Sequence, residues 1–335
     1  MTSRSNVPWP AAAPAPPARA AVWRAWTPAE ICLLAYFGWC LLLLALKFPP
    51  GDGIWLGRDL LVCAGVIVFH FLAARRRAGG AGFAWDVARH GYAIFVALPL
   101  AYQQAGSFGT RFLPLLESRL IGWDRALFGI NWLTRRPPAA GALGAILEAA
   151  YLSNYLLLPF TLGLGAALAW PRRQPWRAAA ATAEDEAWAE APPPRARDWS
   201  RADAELRILC GALLAALLLC YAVFPFFPAI TPRLYFPALR QAGSDAVRAL
   251  NWDLLSRFSI PYGIFPSGHV AGPAALGAAL AALRLRRLGL VFLALSALVA
   301  VATVYGDYHF ASDALAGFIA GLLGAAIALG LARRQ

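Results

Sequence analysis

The chain has 335 residues, of which 60% are hydrophobic and 14% charged. Soluble domains carry about 25% charged residues, so a soluble enzyme is excluded, and long uncharged runs predict an all-α polytopic integral membrane protein. The net charge of +12 would suit a nucleic-acid partner, but the basic residues fall in short clusters between apolar runs. That is the pattern of topology signals, and no nucleic acid is expected.

Residues 1–28 are rich in Pro and Ala and read as a disordered cytoplasmic tail; the first apolar run begins near Ile31, too late for a signal peptide. Apolar segments follow at about 30–47, 59–74, 88–104, 141–169, 203–228, 268–284, 288–305 and 310–332. A helix needs about 20 residues to cross a bilayer, so eight transmembrane helices are expected, the second and seventh marginal and the fourth long enough to tilt. Residues 29–104 form N-terminal transmembrane helices and 105–335 a second, chemically richer membrane domain. Within it, 171–202 mixes charge, Ala and Pro and reads as a flexible cytoplasmic loop. In 105–140, Phe112, Leu116, Leu120, Trp123 and Leu127 recur at helical spacing, with Arg119 and Asp124 among the polar positions between them; this predicts a helix lying in the outer interface.

With the tail inside, 17 arginines fall in inside segments and 10 in outside loops. The positive-inside rule then puts both termini in the cytoplasm. Lys47 is the one lysine among 30 cations, a bias that points to a GC-rich bacterial genome and hence an inner membrane. Cys32, Cys40, Cys63, Cys210 and Cys220 lie inside apolar segments without a Cys-x-x-Cys, as buried thiols do.

Of four histidines, His70 and His90 lie near the inside ends of spans two and three and read as structural. His269 follows Pro266-Ser267-Gly268 at the outside entry to span six. Ser267 suits a helix cap, the free N–H groups behind it an anion, and Gly268 a close backbone approach. His309 and Asp313 are four apart at the start of span eight, on one helical face. A carboxylate beside an imidazole fixes its tautomer and raises its basicity. Counting helix rise through the 268–304 hairpin returns His309 to the face that holds His269. Arg233, in Thr231-Pro232-Arg233, exits span five on the same side and offers a fork for phosphate oxygens. The set reads as phosphoryl chemistry through a histidine.

Pro266-Ser267-Gly268-His269 together with Tyr305-Gly306-Asp307-Tyr308-His309 and Asp313 resembles the type 2 phosphatidic acid phosphatase and vanadium haloperoxidase superfamily. The expected Ser-Arg of its third motif is replaced by Ala302-Thr303, and its first motif survives only as Thr231-Pro232-Arg233-Leu234. Those departures, with residues 120–129 and Tyr151-Leu152-Ser153-Asn154-Tyr155, resemble the inositol phosphorylceramide synthase branch. The resemblance spans about 105–332 and implies a six-helix catalytic core. It also implies His309 as nucleophile, Asp313 orienting it and His269 as acid and base. Arg233, Ser267 and Gly268 would hold phosphate, without metal or cofactor. The expected activity is transfer of a phospho-headgroup between lipids at the outer face, with phospholipid or lipid phosphate as partner. A lipid phosphate phosphatase, acting on phosphatidate or a polyprenyl pyrophosphate, is the alternative. A transporter fits less well, because the polar cluster lies at span ends and no repeat shows. With Phe226 near the place of the family's lysine and Thr303 at that of its second arginine, Arg233 remains the clear cation. That favours a diester monoanion unless Arg240, Arg248 or Arg257 folds back.

Overall fold

The computed structural model describes residues 26–46, 54–78, 83–108, 116–135, 141–169, 197–236, 239 and 246–334. Most of the expected tail and of the 171–202 loop, together with Phe112 and Arg240, lie outside them. Among the described residues every regular element is helical, apart from one isolated bridge between Ala229 and Gly263.

Helix α1, Pro28–Ala45, starts at Thr27 through a capping box: Thr27 Oγ1 accepts from the Glu30 N–H, and the Glu30 carboxylate accepts from the Thr27 N–H at 2.8 Å. Helix α2 covers Ile54–Ala78. The third apolar segment is one helical run of three parts: α3, Phe83–Tyr92, a π turn over Ala93–Ala97, and α4, Leu98–Ser107. Helix α5, Glu117–Phe128, ends at Gly129 in the left-handed region, where a residue without Cβ closes the last turn. Helices α6, Ala142–Leu152, and α7, Asn154–Ala169, meet at Ser153 with a 48° bend. Then follow α8, Arg197–Val223, the short α9, Pro232–Tyr235, α10, Ala246–Phe258, α11, Gly268–Ala282, α12, Arg286–Tyr305, and α13, Ala311–Arg333.

All eight apolar segments are thus largely helical, but among the described residues five helices (α1, α2, α8, α12, α13) are long and apolar enough to cross a membrane. The bent α6–α7 pair makes a sixth if it is one span. Helix α11 is apolar but has 15 residues, a rise of about 22 Å, while the third segment stays one helical run with a π turn in its middle. Periodicity cannot reveal either feature.

Helix α8 is the central element, with α1, α7, α11 and α13 packed around it. The approach of α13 to α11 depends on two glycines one turn apart. A Cβ at Gly317 would lie 2.3 Å from the Ser267 carbonyl oxygen, and one at Gly321 would lie 2.5 Å from that of Ala271. Small residues let membrane helices approach at backbone distance, and here the contact brings the start of α13 against the start of α11.

At the other end of α8 the first helices share a buried polar cluster. Glu30 accepts from both Nε (2.8 Å) and Nη2 of Arg89 and faces His70 Nδ1 at 3.4 Å. Arg89 Nη1 also lies 3.6 Å from Asp86, whose backbone carbonyl contacts His90 Nδ1 at 2.7 Å. His70 therefore ties α2 to α1 and His90 bonds back to its own helix, and neither takes part in the contact between His269 and His309.

The expected interfacial stripe divides. Helix α5 buries Leu120 and Asp124, while Trp123 and Leu127 are 42% and 65% exposed. Asp124, one of the polar positions between the apolar residues, is fully buried; it faces inward because it binds the N-terminus of α13.

Candidate active site

The turn between α12 and α13 holds His309. It closes on Thr303, whose carbonyl accepts from the N–H groups of Tyr308 at 2.9 Å and His309 at 3.1 Å. Asp307 adopts φ = 60°, a conformation that Asp tolerates better than most side chains. His309 emerges just before α13, and its Nδ1 lies 2.5 Å from Asp313 Oδ2. That contact commits Nδ1 and leaves the Nε2 lone pair to react. His309 Nε2 stands 3.4 Å from Nδ1 of His269. The structure therefore brings together the two histidines and the aspartate singled out from the sequence.

His269 lies in the first turn of α11. The Tyr151 ring stacks on it at 4.6 Å, and Tyr155 meets it edge-on at 6.2 Å, so residues on both sides of the α6–α7 bend fix the imidazole. Ser267 occupies the N-cap position, but its side chain makes no cap bond and Oγ finds no partner. Its N–H donates to the Asp313 carbonyl at 3.3 Å. The expected roles of Ser267 as cap and amide donor are therefore altered: the amide joins α11 to α13, and the hydroxyl stays available.

Arg233, in α9, is 5% exposed. Its guanidinium lies over Trp252 at 4.9 Å and over Tyr308 at 5.7 Å. Its N–H donates to the Asp307 carbonyl at 3.0 Å. Among the described residues no carboxylate pairs with it, and its Nε has no hydrogen-bond partner. Burial, with the Arg233 charge adding to it, pushes the His309 imidazole below its ordinary pKa and favours the neutral ring. A nucleophile needs that form.

Arg248 also folds inward. It lies 3.8 Å from Glu148 and 3.6 Å from Asp307, and it donates to the Gly306 carbonyl. Its charge is thus matched twice, whereas Arg257 is exposed and pairs with Asp253. Burial raises the Asp307 pKa, against the pull of Arg135 and Arg248. Among the described residues no group of three or more His, Cys, Asp or Glu side chains is placed to hold a metal.

Residues 196–327 match the family model of the PAP2 superfamily. The match runs from α8 into α13 and contains Arg233, Ser267, Gly268, His269, His309 and Asp313. It supports the type 2 phosphatidic acid phosphatase superfamily and a function of the lipid phosphatase or phosphotransferase kind. No curated protein and no solved structure gives a match.

Glu148, Asn251 and Trp252 are neighbours of the site that the sequence does not place there, and Arg248 is the one of the three arginines Arg240, Arg248 and Arg257 that the described residues show folding back. Glu148 accepts from Tyr308 Oη at 2.6 Å and from Asn251 Nδ2 at 2.7 Å. Helix α10 presents Arg248, Asn251 and Trp252 to this network at helical spacing. One signal was legible: Glu148 is an ionisable residue inside an apolar segment, which by default marks function. For α10 no comparable signal existed, since nothing in its sequence fixes which face turns inward.

Proposed function

We propose that this chain is a bacterial inner-membrane phosphotransferase that moves a phospho-headgroup between lipids through a phosphohistidine. The observation that carries the reading is Arg233, a buried cation held by aromatic rings with no carboxylate partner among the described residues, beside a histidine whose Nδ1 is committed to Asp313. A phosphoryl group supplies the missing negative charge.

In this reading Nε2 of His309 attacks phosphorus as the P–O bond to the donor lipid breaks. His269 protonates the departing oxygen, then takes the proton of the incoming hydroxyl, which displaces His309 and restores the enzyme. Asp313 stabilises the charge that the His309 ring acquires. Arg233 and the amides at the start of α11 bear the charge on the phosphoryl oxygens. A groove of about 500 Å³ beside the nucleophile turn, walled by Val301, Val304, Leu315 and Phe318, gives a lipid chain an apolar surface there. The arginine distribution supports a site on the outer face of the membrane.

Arg248 favours a second reading, a lipid phosphate phosphatase. Its inward fold brings a second guanidinium toward the site, which a monoester with its extra charge would use, although Glu148 and Asp307 balance it. Purified protein incubated with a phosphate-radiolabelled phospholipid separates the two: label entering a second lipid supports transfer, and label entering water supports hydrolysis. No turnover of any phosphoester would remove both. For orientation, cysteine at Arg257 is expected to react with an impermeant thiol reagent added outside, and cysteine at Arg286 is not; the reverse moves the site to the cytoplasm.

A further inference from the structure

Outside the PAP2 match, residues 116–135 hold the pieces of the site together. Leu116 N–H donates to the Pro228 carbonyl at 3.0 Å, and Glu117 Oε1 accepts from the Ile230 N–H at 2.6 Å. These contacts fix the strand of chain that leads to Arg233. Asp124 reaches the nucleophile helix: Oδ2 accepts from the Ala311 N–H and Oδ1 from the Ser312 N–H, both at 2.7 Å. Trp132 Nε1 donates to the same carboxylate at 2.8 Å. Arg135 closes the segment by donating to Asp307 Oδ1 at 2.7 Å and to the Val304 carbonyl at 2.6 Å. Leu116, Leu120 and Trp132 share one apolar cluster with Ala229, Ile264 and Phe310. That cluster draws on all three segments that carry PAP2 motif residues.

We propose that residues 116–135 are a clasp that sets the register of the catalytic groups, with Asp124 as its chief positioning residue. Phe310 occupies the N-cap position of α13, and its side chain supplies no cap. The helix's first free N–H groups are satisfied instead by a carboxylate from another helix, with the negative charge at the favourable end of the dipole. His309 and Asp313 flank those two amides in sequence, so a shift there changes where Nε2 points. Phosphoryl transfer depends on alignment, and a displacement of about 1 Å costs on the order of a hundredfold. The clasp rests on the reading of His309 as nucleophile for its effect on rate, though not for its contacts.

The test compares two substitutions of one network in full-length protein, with phosphate-radiolabelled phospholipid in mixed micelles as probe. Asp124→Asn puts an amide N–H against N–H donors and is expected to lower kcat by about 30- to 100-fold with KM within about threefold. Trp132→Phe removes a bond to the same carboxylate but leaves the helix contacts, and kcat is expected to stay within about threefold. Amide exchange of a peptide covering 309–315 is expected to accelerate in Asp124→Asn alone. If Asp124→Asn does not fold, Arg135→Gln tests the other end of the clasp, with the same fall in kcat expected. Unchanged kcat in a folded Asp124→Asn or Arg135→Gln variant overturns the proposal, as does an equal loss in Trp132→Phe. A wild type that turns over no phosphoester refutes the functional reading instead, and the exchange measurement then decides the clasp: faster exchange in Asp124→Asn alone upholds its contacts, and unchanged exchange overturns them.

Discussion

Arg89 and Arg233 are both buried, one near the start of α8 and one beyond its end, but their surroundings differ in kind. Arg89 is matched by Glu30 and lies close to Asp86, and Glu30 also accepts from Thr27. Arg233 has ring faces on two sides and no carboxylate partner among the described residues. The histidines divide in the same way: His70 faces the Glu30 carboxylate and His90 the backbone of its own helix, while His269 and His309 face each other. A buried histidine near a carboxylate is therefore no mark of catalysis by itself. What separates the two regions is whether the local cation is neutralised within the protein.

The sharpest way to break that comparison is to remove one histidine from each region. His309→Ala is expected to lower kcat by about 10⁴- to 10⁶-fold in folded protein, and His70→Ala to leave kcat within a few-fold while lowering thermal stability. A comparable loss of kcat in folded His70→Ala would erase the distinction. The arginines give the next largest contrast. Arg233→Gln is expected to cost about 10²- to 10³-fold in kcat/KM with little change in unfolding. Arg89→Gln leaves Glu30 buried without its partner, a destabilisation of about 3–5 kcal/mol visible in denaturation of detergent-solubilised protein. Gly317→Ala tests how the two histidines are brought together: overpacking against Ser267 is expected to cost about 1–3 kcal/mol and to lower kcat along with stability. Thr303→Arg is the mildest. It adds a cation at the nucleophile turn and should raise activity on phosphatidate relative to a diester by about tenfold. No change would mean that Arg248 already supplies that charge.

Much of this contrast was legible from sequence, for identifiable reasons. The apolar runs follow from composition, and the His309–Asp313 pairing from a spacing of four. The meeting of His309 with His269 follows from helix rise through a hairpin. The π turn at Ala93–Ala97 and the bend at Ser153 leave no mark in hydropathy. The spacing in α5 gives the helix and the burial of Leu116 and Leu120 but not that of Asp124; periodicity has no means of knowing that a carboxylate will cap another helix. Ser267 has the type and position of a cap, but its Oγ makes no bond to the first turn of α11; the bond it does make, from its amide to the Asp313 carbonyl, depends on tertiary packing that local sequence cannot show. Arg248 could not be placed, since the chain between α9 and α10 gives no pattern that fixes the orientation of α10.

The Glu30–Arg89 pair has a consequence for biosynthesis. The two residues are 59 positions apart, so during translation the first helix emerges with its carboxylate before the matching guanidinium exists. Glu30 lies in the first turn of α1 beside its Thr27 cap, so until the partner arrives its charge can stay hydrated at the membrane edge. Burial of that carboxylate therefore follows the arrival of α3, and the two ends of α1 are seated at different times: the apolar stretch first, the capped end last.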